Sequence, residues 1–329
     1  MGEHWDAIVV GAGVAGAFMA RMLTDSGRRV LVLDKGRGPG GRTSTRRVDE
    51  TAFDHGAQYA TFRSGCLEQF REQWLKKGWL APWDGPFYLH DERGLREVVP
   101  TATRYVGVPG MNQLVSGLLE GISTVFGEEV CEVHDRGDQG ALLETRSGQS
   151  FTGERVCITL PAPQAAHLLS GFGGIGSELE RVRFAPCLVA MLTFEGDTSY
   201  EFGGMGFKNE KVSWVARNQS KPGRPPGEQW VIHGSSDWSR EYLEESREWI
   251  ADELHQWVHG AFPGLPQAHC KVGHRWKYAL VEQAVGRSFM TEGRISVCGD
   301  GMLGGKVEAA LLSALSLYES WTGQQDPSH

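Results

Sequence analysis

The stretch Ala7-Ile8-Val9-Val10-Gly11-Ala12-Gly13-Val14-Ala15-Gly16 decides how the rest of the chain is read. Four consecutive apolar residues suit a strand buried on both faces of a parallel sheet. Three glycines at GxGxxG spacing follow, and Phe18, Met19, Met22 and Leu23 then recur at helical spacing. Gly27 ends that helix, and Val30-Leu31-Val32-Leu33 is a second apolar strand closed by Asp34. Strand, turn, helix and strand make a βαβ unit. Gly11 permits the tight turn, Gly13 lets a pyrophosphate approach the backbone, and Gly16 lets helix and strand pack closely. The helix start, with Val14 and Ala15 in its first turn, offers free N–H groups and the positive end of its dipole. Asp34, 23 residues beyond Gly11, is placed to accept from ribose hydroxyls.

Composition bounds the alternatives. The chain has 329 residues, of which 44 are glycine. That is about 13%, roughly twice the usual share, in a chain with no Gly-X-Y period. A 40% apolar and 22% charged composition is that of a globular protein and not of a disordered polyelectrolyte. The net charge of -8 argues against nonspecific nucleic-acid binding. The six cysteines form no CxxC pair and sit mostly in apolar stretches, which favours buried thiols in a reducing compartment over disulfides or zinc. No run of 18 apolar residues suggests a membrane span, and Met1–Asp6 lacks a basic leader region. The expectation is a cytoplasmic protein with no membrane, nucleic-acid or metal partner.

Further along, Met111, Leu114, Val115, Leu118, Leu119 and Ile122 predict an amphipathic helix. Val130, Leu142-Leu143 and Val156–Leu160 read as strands, as do Leu188–Phe194, Trp214–Ala216, Trp230–His233 and Ile295–Cys298. Trp238–Val258 reads as one long helix and Val307–Tyr318 as the last one. Ser220–Gly227, rich in proline and glycine, reads as an exposed loop. His255 and His259 are four residues apart without the glutamate of an HExxH site, so a solvated helix face is expected there.

Two elements narrow the cofactor. Gly40-Gly41-Arg42 follows the second strand and resembles the glycine–glycine–arginine loop of amine-oxidase-type flavoproteins, in which the arginine meets the pyrophosphate. A planar guanidinium suits a diphosphate. Val297-Cys298-Gly299-Asp300 is a strand ending in Gly-Asp, followed by the helix opening Lys306-Val307-Glu308-Ala309-Ala310. FAD-binding oxidoreductases of this type end similarly. Their last helix aims its N-terminus at the flavin, where its dipole stabilises negative charge.

The middle of the chain carries the more specific resemblance. Phe53–Tyr59, Arg104–Met111, Trp214–Pro222, Trp238-Ser239 and His274–Ala279, taken with Val297–Asp300, resemble the renalase family over nearly the whole chain. The resemblance implies an α/β fold like that of p-hydroxybenzoate hydroxylase: a Rossmann-like FAD-binding domain with an inserted α+β substrate domain. The expected division is 1–62, 105–172 and 285–329 for FAD, and 63–104 and 173–284 for substrate. It implies non-covalent FAD held by Gly11, Gly13, Val14, Ala15, Gly16, Asp34, Lys35, Gly41, Arg42, Thr43, Gly56, Ala57, Gln58, Val130, Gly299, Asp300, Val307 and Glu308. It also implies oxidation of the 2- and 6-dihydro isomers of NAD(P)H, with oxygen giving hydrogen peroxide.

A dihydropyridine is already a hydride donor, so orientation dominates and no strong base is needed. Ala57, Gln58, Tyr59, Ala60 and Thr61 would then lie beside the isoalloxazine. Tyr59, Trp214 and Trp276 would form apolar walls, Asn218 and His274 would bond the carboxamide or ribose, and Arg217 would meet a substrate phosphate. His274 and Tyr59 are the catalytic candidates, and Lys277 is read as exposed. The family pattern is departed from at Gly301-Met302-Leu303, at Ala309 and at Ala60–Arg63. An amine oxidase and a non-catalytic flavin-binding protein remain alternatives.

Overall fold

The computed structural model describes residues 4–196, 198–208 and 210–323. Its first layer is an eight-stranded sheet. Strand His4–Val10 lies at its centre, parallel to Val30–Asp34 on one side and to Ser150–Ile158 on the other. Ser123–Phe126 and Ile295–Val297 extend the parallel part, so the two ends of the chain build one sheet. The central strands are apolar on both faces because helices cover both. Helices Val14–Asp25 and Val307–Thr322 bury Phe18, Met19, Leu311 and Leu317 on one face. Helices Ala162–Leu168 and Gly173–Leu179 bury Ala165 and Leu179 on the other.

The second layer is a seven-stranded sheet, largely antiparallel, built on strands Arg183–Phe194, Glu228–Gly234 and Ala268–Gln283. Helix Arg247–Ala261 covers one face, burying Ile250, Leu254 and Val258 against Leu188, Leu192 and Trp230. This is the α/β architecture expected, with the second sheet inserted between parts of the first.

Several local expectations change. Helix Glu68–Lys76, expected with the substrate domain, packs Trp74 and Phe70 against Phe18 of the first domain. Helix Gly173–Leu179 likewise joins the first core, because Ile175 and Leu179 fit under Val297 and Met290. Both helices therefore pack with the first sheet's core. The amphipathic stretch from Met111 is α-helical only over Gln113–Leu118. The long helix is two, Ser236–Glu241 and Arg247–Ala261, with Ser246 capping the second through Trp249 N–H at 3.1 Å. His255 is buried against Phe194 and meets His259 at 3.0 Å, so that helix face is packed, not solvated. Of the cysteines, Cys157, Cys187 and Cys298 are buried, whereas Cys131 is exposed on an edge strand. No helix among the described residues is long and apolar enough to cross a membrane.

Candidate active site

Three glycine segments meet at the C-terminal edge of the central parallel strands. Gly11 has φ +113°, a conformation that side chains resist, and a Cβ on Gly16 would stand 1.9 Å from the Gly11 carbonyl oxygen. A Cβ on Gly13 would meet nothing within 4 Å, so the space beside it is open. Gly41 comes to the Gly13 Cα, and Gly40 N–H donates to the Ala12 carbonyl at 2.9 Å. Helix Val14–Asp25 has no side-chain cap and no acidic residue in its first turn, which leaves its N–H groups for an anion. Arg42 reaches across to Asp300, pairing the second segment with the third at 2.6 and 2.5 Å. An open cradle, an uncapped helix start and a guanidinium beside it fit the diphosphate of FAD.

The remaining cofactor candidates surround this cradle in different ways. Asp34 accepts from Ala12 N–H at 2.6 Å and from Gly36 N–H at 2.5 Å, so it fastens the two loops while keeping further lone pairs. Lys35 is exposed and lies 3.7 Å from Glu129, next to the buried Val130. Thr43 is buried and donates to the Gly40 carbonyl. Gly56 and Ala57 are stitched to the Arg42 carbonyl, which accepts from Ala57 N–H at 2.9 Å. Val307 opens the last helix, but the Glu308 carboxylate turns to the Arg63 and Ser64 N–H groups at 2.5 and 2.7 Å. Glu308 therefore holds the loop after Phe62 against the last helix.

From this cradle the segment 53–61 runs into the substrate domain. Tyr59 sits with Trp83, Phe87 and Trp214 in an aromatic box. The occupant is Arg104, whose guanidinium carbon lies 3.9 Å from the Phe87 ring centre, 4.5 Å from Tyr59 and 5.4 Å from Trp214. Burial pulls its pKa below the ordinary arginine value. Ala60 is bonded in both directions to Tyr105 at 2.8 Å, which fixes Arg104 beside Tyr59. Thr61 is half-buried next to it.

A second cluster joins the two domains. His55 stacks on Trp276 with ring centres 5.0 Å apart and meets His274 edge-on at 4.6 Å. Trp276 Nε1 donates to the His55 carbonyl at 2.8 Å. Both ring nitrogens of His274 and Nδ1 of His55 are buried without a hydrogen-bond partner. Burial, with Arg46 adding repulsion, holds the His55 pKa down to about 4. Burial, His55 and Arg46 hold His274 down to about 3. Both rings are therefore neutral at physiological pH.

Beneath lies a buried ionic network. Lys221 Nζ donates to Asp54 and to the Gln58 amide oxygen, both at 3.1 Å. Arg224 also bonds Asp54 and, through Nη1, the Gly107 carbonyl. Burial alone would raise the Asp54 pKa, but Lys221 and Arg224 hold it at about 2. Burial in turn draws Lys221 down to about 8. The expected exposed loop Ser220–Gly227 is thus a plug: Lys221 and Arg224 enter the interior because Asp54 awaits them there.

The network also accounts for two substrate candidates. Gln58 spends its amide on Lys221, the Asp54 and Gly56 carbonyls, and His233. Asn218 is fully buried and clamps the Ala52 carbonyl and Asp54 N–H. Arg217, expected at a substrate phosphate, is instead held bidentately by the buried Glu228 at 2.8 and 3.0 Å. Lys277 is exposed as expected. The structure thus places Tyr59 with Trp214 in one group and His274 with Trp276 in another, and draws Gln58, Arg217 and Asn218 into internal bonds. His55, Arg104, Lys221 and Arg224 were unassigned in the sequence, although all except Arg224 fall inside the family-resembling segments.

A dinucleotide cradle completed from both chain ends, with a separate substrate sheet against it, defines an FAD-dependent oxidoreductase. The chain belongs to the flavin-containing amine oxidoreductase family, whose model matches residues 97–316. An NAD(P)-binding Rossmann-like model matches residues 9–74. The chain is renalase-like: it is 25% identical over 340 residues to renalase from Mus musculus, covering 95% of this chain and 97% of that one. In structure it resembles an Exiguobacterium sp. chain described as a protoporphyrinogen oxidase, with TM-score 0.78, 14% identity and coverage of 97% and 99%. Cyclohexylamine oxidase from Brevibacterium oxydans gives 0.74 at 13% identity, covering 97% of this chain and 100% of that one.

Proposed function

We propose that this flavoprotein oxidises misreduced nicotinamide dinucleotides, the 2- and 6-dihydro isomers of NAD(P)H, to NAD(P)+ and passes the electrons to oxygen as hydrogen peroxide. Bound FAD supplies the two-electron acceptor. Gly11–Gly16, the loop around Arg42 and the segment Gly299–Val307 are the residues we assign to holding it. Loss of a hydride turns a neutral dihydropyridine into an aromatic cation, so the protein's task is to orient the ring and not to oppose the new charge. His55 and His274 are neutral and suit that task. His274 has both ring nitrogens without a hydrogen-bond partner, and Trp276 beside it supplies a flat apolar wall.

The observation that carries this reading is the filled aromatic box. An enzyme for amines needs aromatic faces for a substrate ammonium. Here Tyr59, Trp214 and Phe87 already surround a cation of the protein's own, Arg104, which repels a second one.

Anaerobic titration tests the reading. Rapid bleaching of the flavin by 6-dihydro-NAD, with none by simple amines, is expected. Bleaching by amines alone would return the family's amine chemistry, and bleaching by neither would indicate a non-catalytic binder. His274→Ala should slow reduction by dihydro-NAD about tenfold or more by loosening ring placement. An unchanged rate would remove His274 from the site.

A further inference from the structure

Among the described residues, Arg104 has no carboxylate partner, and its Nη1 is buried without any hydrogen-bond acceptor. A half-buried, unpaired guanidinium is costly, and stacking on rings recovers only part of that cost. The neighbouring Trp214 Nε1–H is a second buried donor without an acceptor. The two donors belong to one box: the Arg104 guanidinium carbon is 5.4 Å from the Trp214 ring. Of the cations nearest the box, Arg217 is spent on Glu228 and both Lys221 and Arg224 on Asp54. Arg104 stands beside Tyr59, at the end of the segment that leaves the FAD cradle. The backbone holds it there, since its carbonyl accepts from Trp83 N–H at 2.8 Å and the next residue pairs with Ala60.

We propose that Arg104, assisted by the Trp214 indole N–H, is the subsite for the diphosphate of the dinucleotide substrate. A guanidinium presents a planar fork that two phosphate oxygens can meet together, and its electrostatic field is strengthened where water is partly excluded. Tyr59, Phe87 and Trp214 hold the fork flat and exclude water from its faces. This assignment rests on the dihydronicotinamide reading above, in which the substrate is a dinucleotide. It also gives that reading its selectivity, because a phosphate-free dihydronicotinamide riboside leaves both donors unmatched.

The test uses the FAD-loaded protein and ADP-ribose, a diphosphate that carries no reducible ring. Binding is followed by tryptophan fluorescence, since Trp83 and Trp214 line the box. Arg104→Gln should weaken ADP-ribose at least about tenfold, and Arg104→Lys should fall between it and the wild type. The preference for 6-dihydro-NAD over the riboside, as a ratio of kcat/KM, should fall by a similar factor. Unchanged ADP-ribose affinity in Arg104→Gln, or equal losses for dinucleotide and riboside, overturns the proposal. Arg104-dependent binding of glycine or acetate without binding of ADP-ribose also overturns it and marks a carboxylate site. Flavin absorbance and circular dichroism check folding, and if Arg104→Gln does not fold, the same comparison is read from Arg104→Lys. If ADP-ribose binds through Arg104 while 6-dihydro-NAD fails to reduce the flavin, the subsite stands and the oxidase reading falls. If both variants oxidise 6-dihydro-NAD with wild-type kcat/KM, the subsite falls and the oxidase reading stands.

Discussion

Arg42 and Asp300 lie 258 residues apart in the chain and face each other as a bidentate pair at 2.6 and 2.5 Å. They join the loop after the second strand to the turn after the last one. Both side chains are largely buried, 27% and 13% exposed, so the pair closes the cradle and is not surface decoration. Asp300→Asn leaves the guanidinium without its charge partner and should cost about 1–3 kcal/mol of stability in urea unfolding. Arg42→Ala should in addition weaken FAD at least about tenfold, read as flavin retained after dialysis. Full retention in Arg42→Ala would remove it from the diphosphate.

Two glycines of the fingerprint should fail differently. Gly13→Ala adds a methyl to open space, so the apoprotein should melt normally while FAD binding drops. Gly16→Ala drives a methyl into the Gly11 carbonyl and should destabilise the fold itself by about 1–3 kcal/mol. Thermal melts of the apoproteins beside flavin titrations separate the two, and equal melting temperatures would contradict this division of roles.

The histidine cluster sets an acid limit. His55, His233 and His274 have pKa values lowered by burial from 6.5 to about 4, 3 and 3. Below pH 6.5 the unfolded chain therefore binds protons that the folded chain refuses. Stability is fully present above about pH 6.5 and should fall as pH drops from there through about 4 towards 3. Denaturation midpoints across that range should show the slope, and His274→Asn should flatten it. Because neither His55 nor His274 titrates near neutrality, neither should introduce a break in the rate of flavin reduction between pH 6 and 8.

The Asp54 network predicts an asymmetry. Asp54→Asn strands Lys221 and Arg224 together in the interior and should cost about 3–5 kcal/mol. Lys221→Met leaves Asp54 with Arg224 and fills the same space, so its cost should be clearly smaller. Urea midpoints decide between them, and similar losses would mean the network is not organised around Asp54.

How far the site could be read from sequence depends on what each residue depends on. The fingerprint Gly11–Gly16 was legible because a turn, a close helix and an open approach are local backbone needs that glycine meets. Gly40-Gly41-Arg42 and Val297–Asp300 were legible by their resemblance to flavoprotein segments. Arg217 and Arg104 look alike in sequence, yet one is neutralised by Glu228 and the other is enclosed by rings from distant strands. Ser220–Gly227 has a loop's composition and is one, but its lysine and arginine are drawn inward by Asp54.

By itself the sequence determined the α/β layering and the dinucleotide fingerprint, because hydrophobic periodicity and glycine spacing act over a few residues; the flavin class came from the resemblance of Gly40-Gly41-Arg42 and Val297–Asp300 to flavoprotein segments. Only the tertiary structure decided which cations are free, which histidines stay neutral and which aromatic faces are already taken. Those properties depend on charges and rings brought together from segments up to hundreds of residues apart, and on how much water their packing excludes.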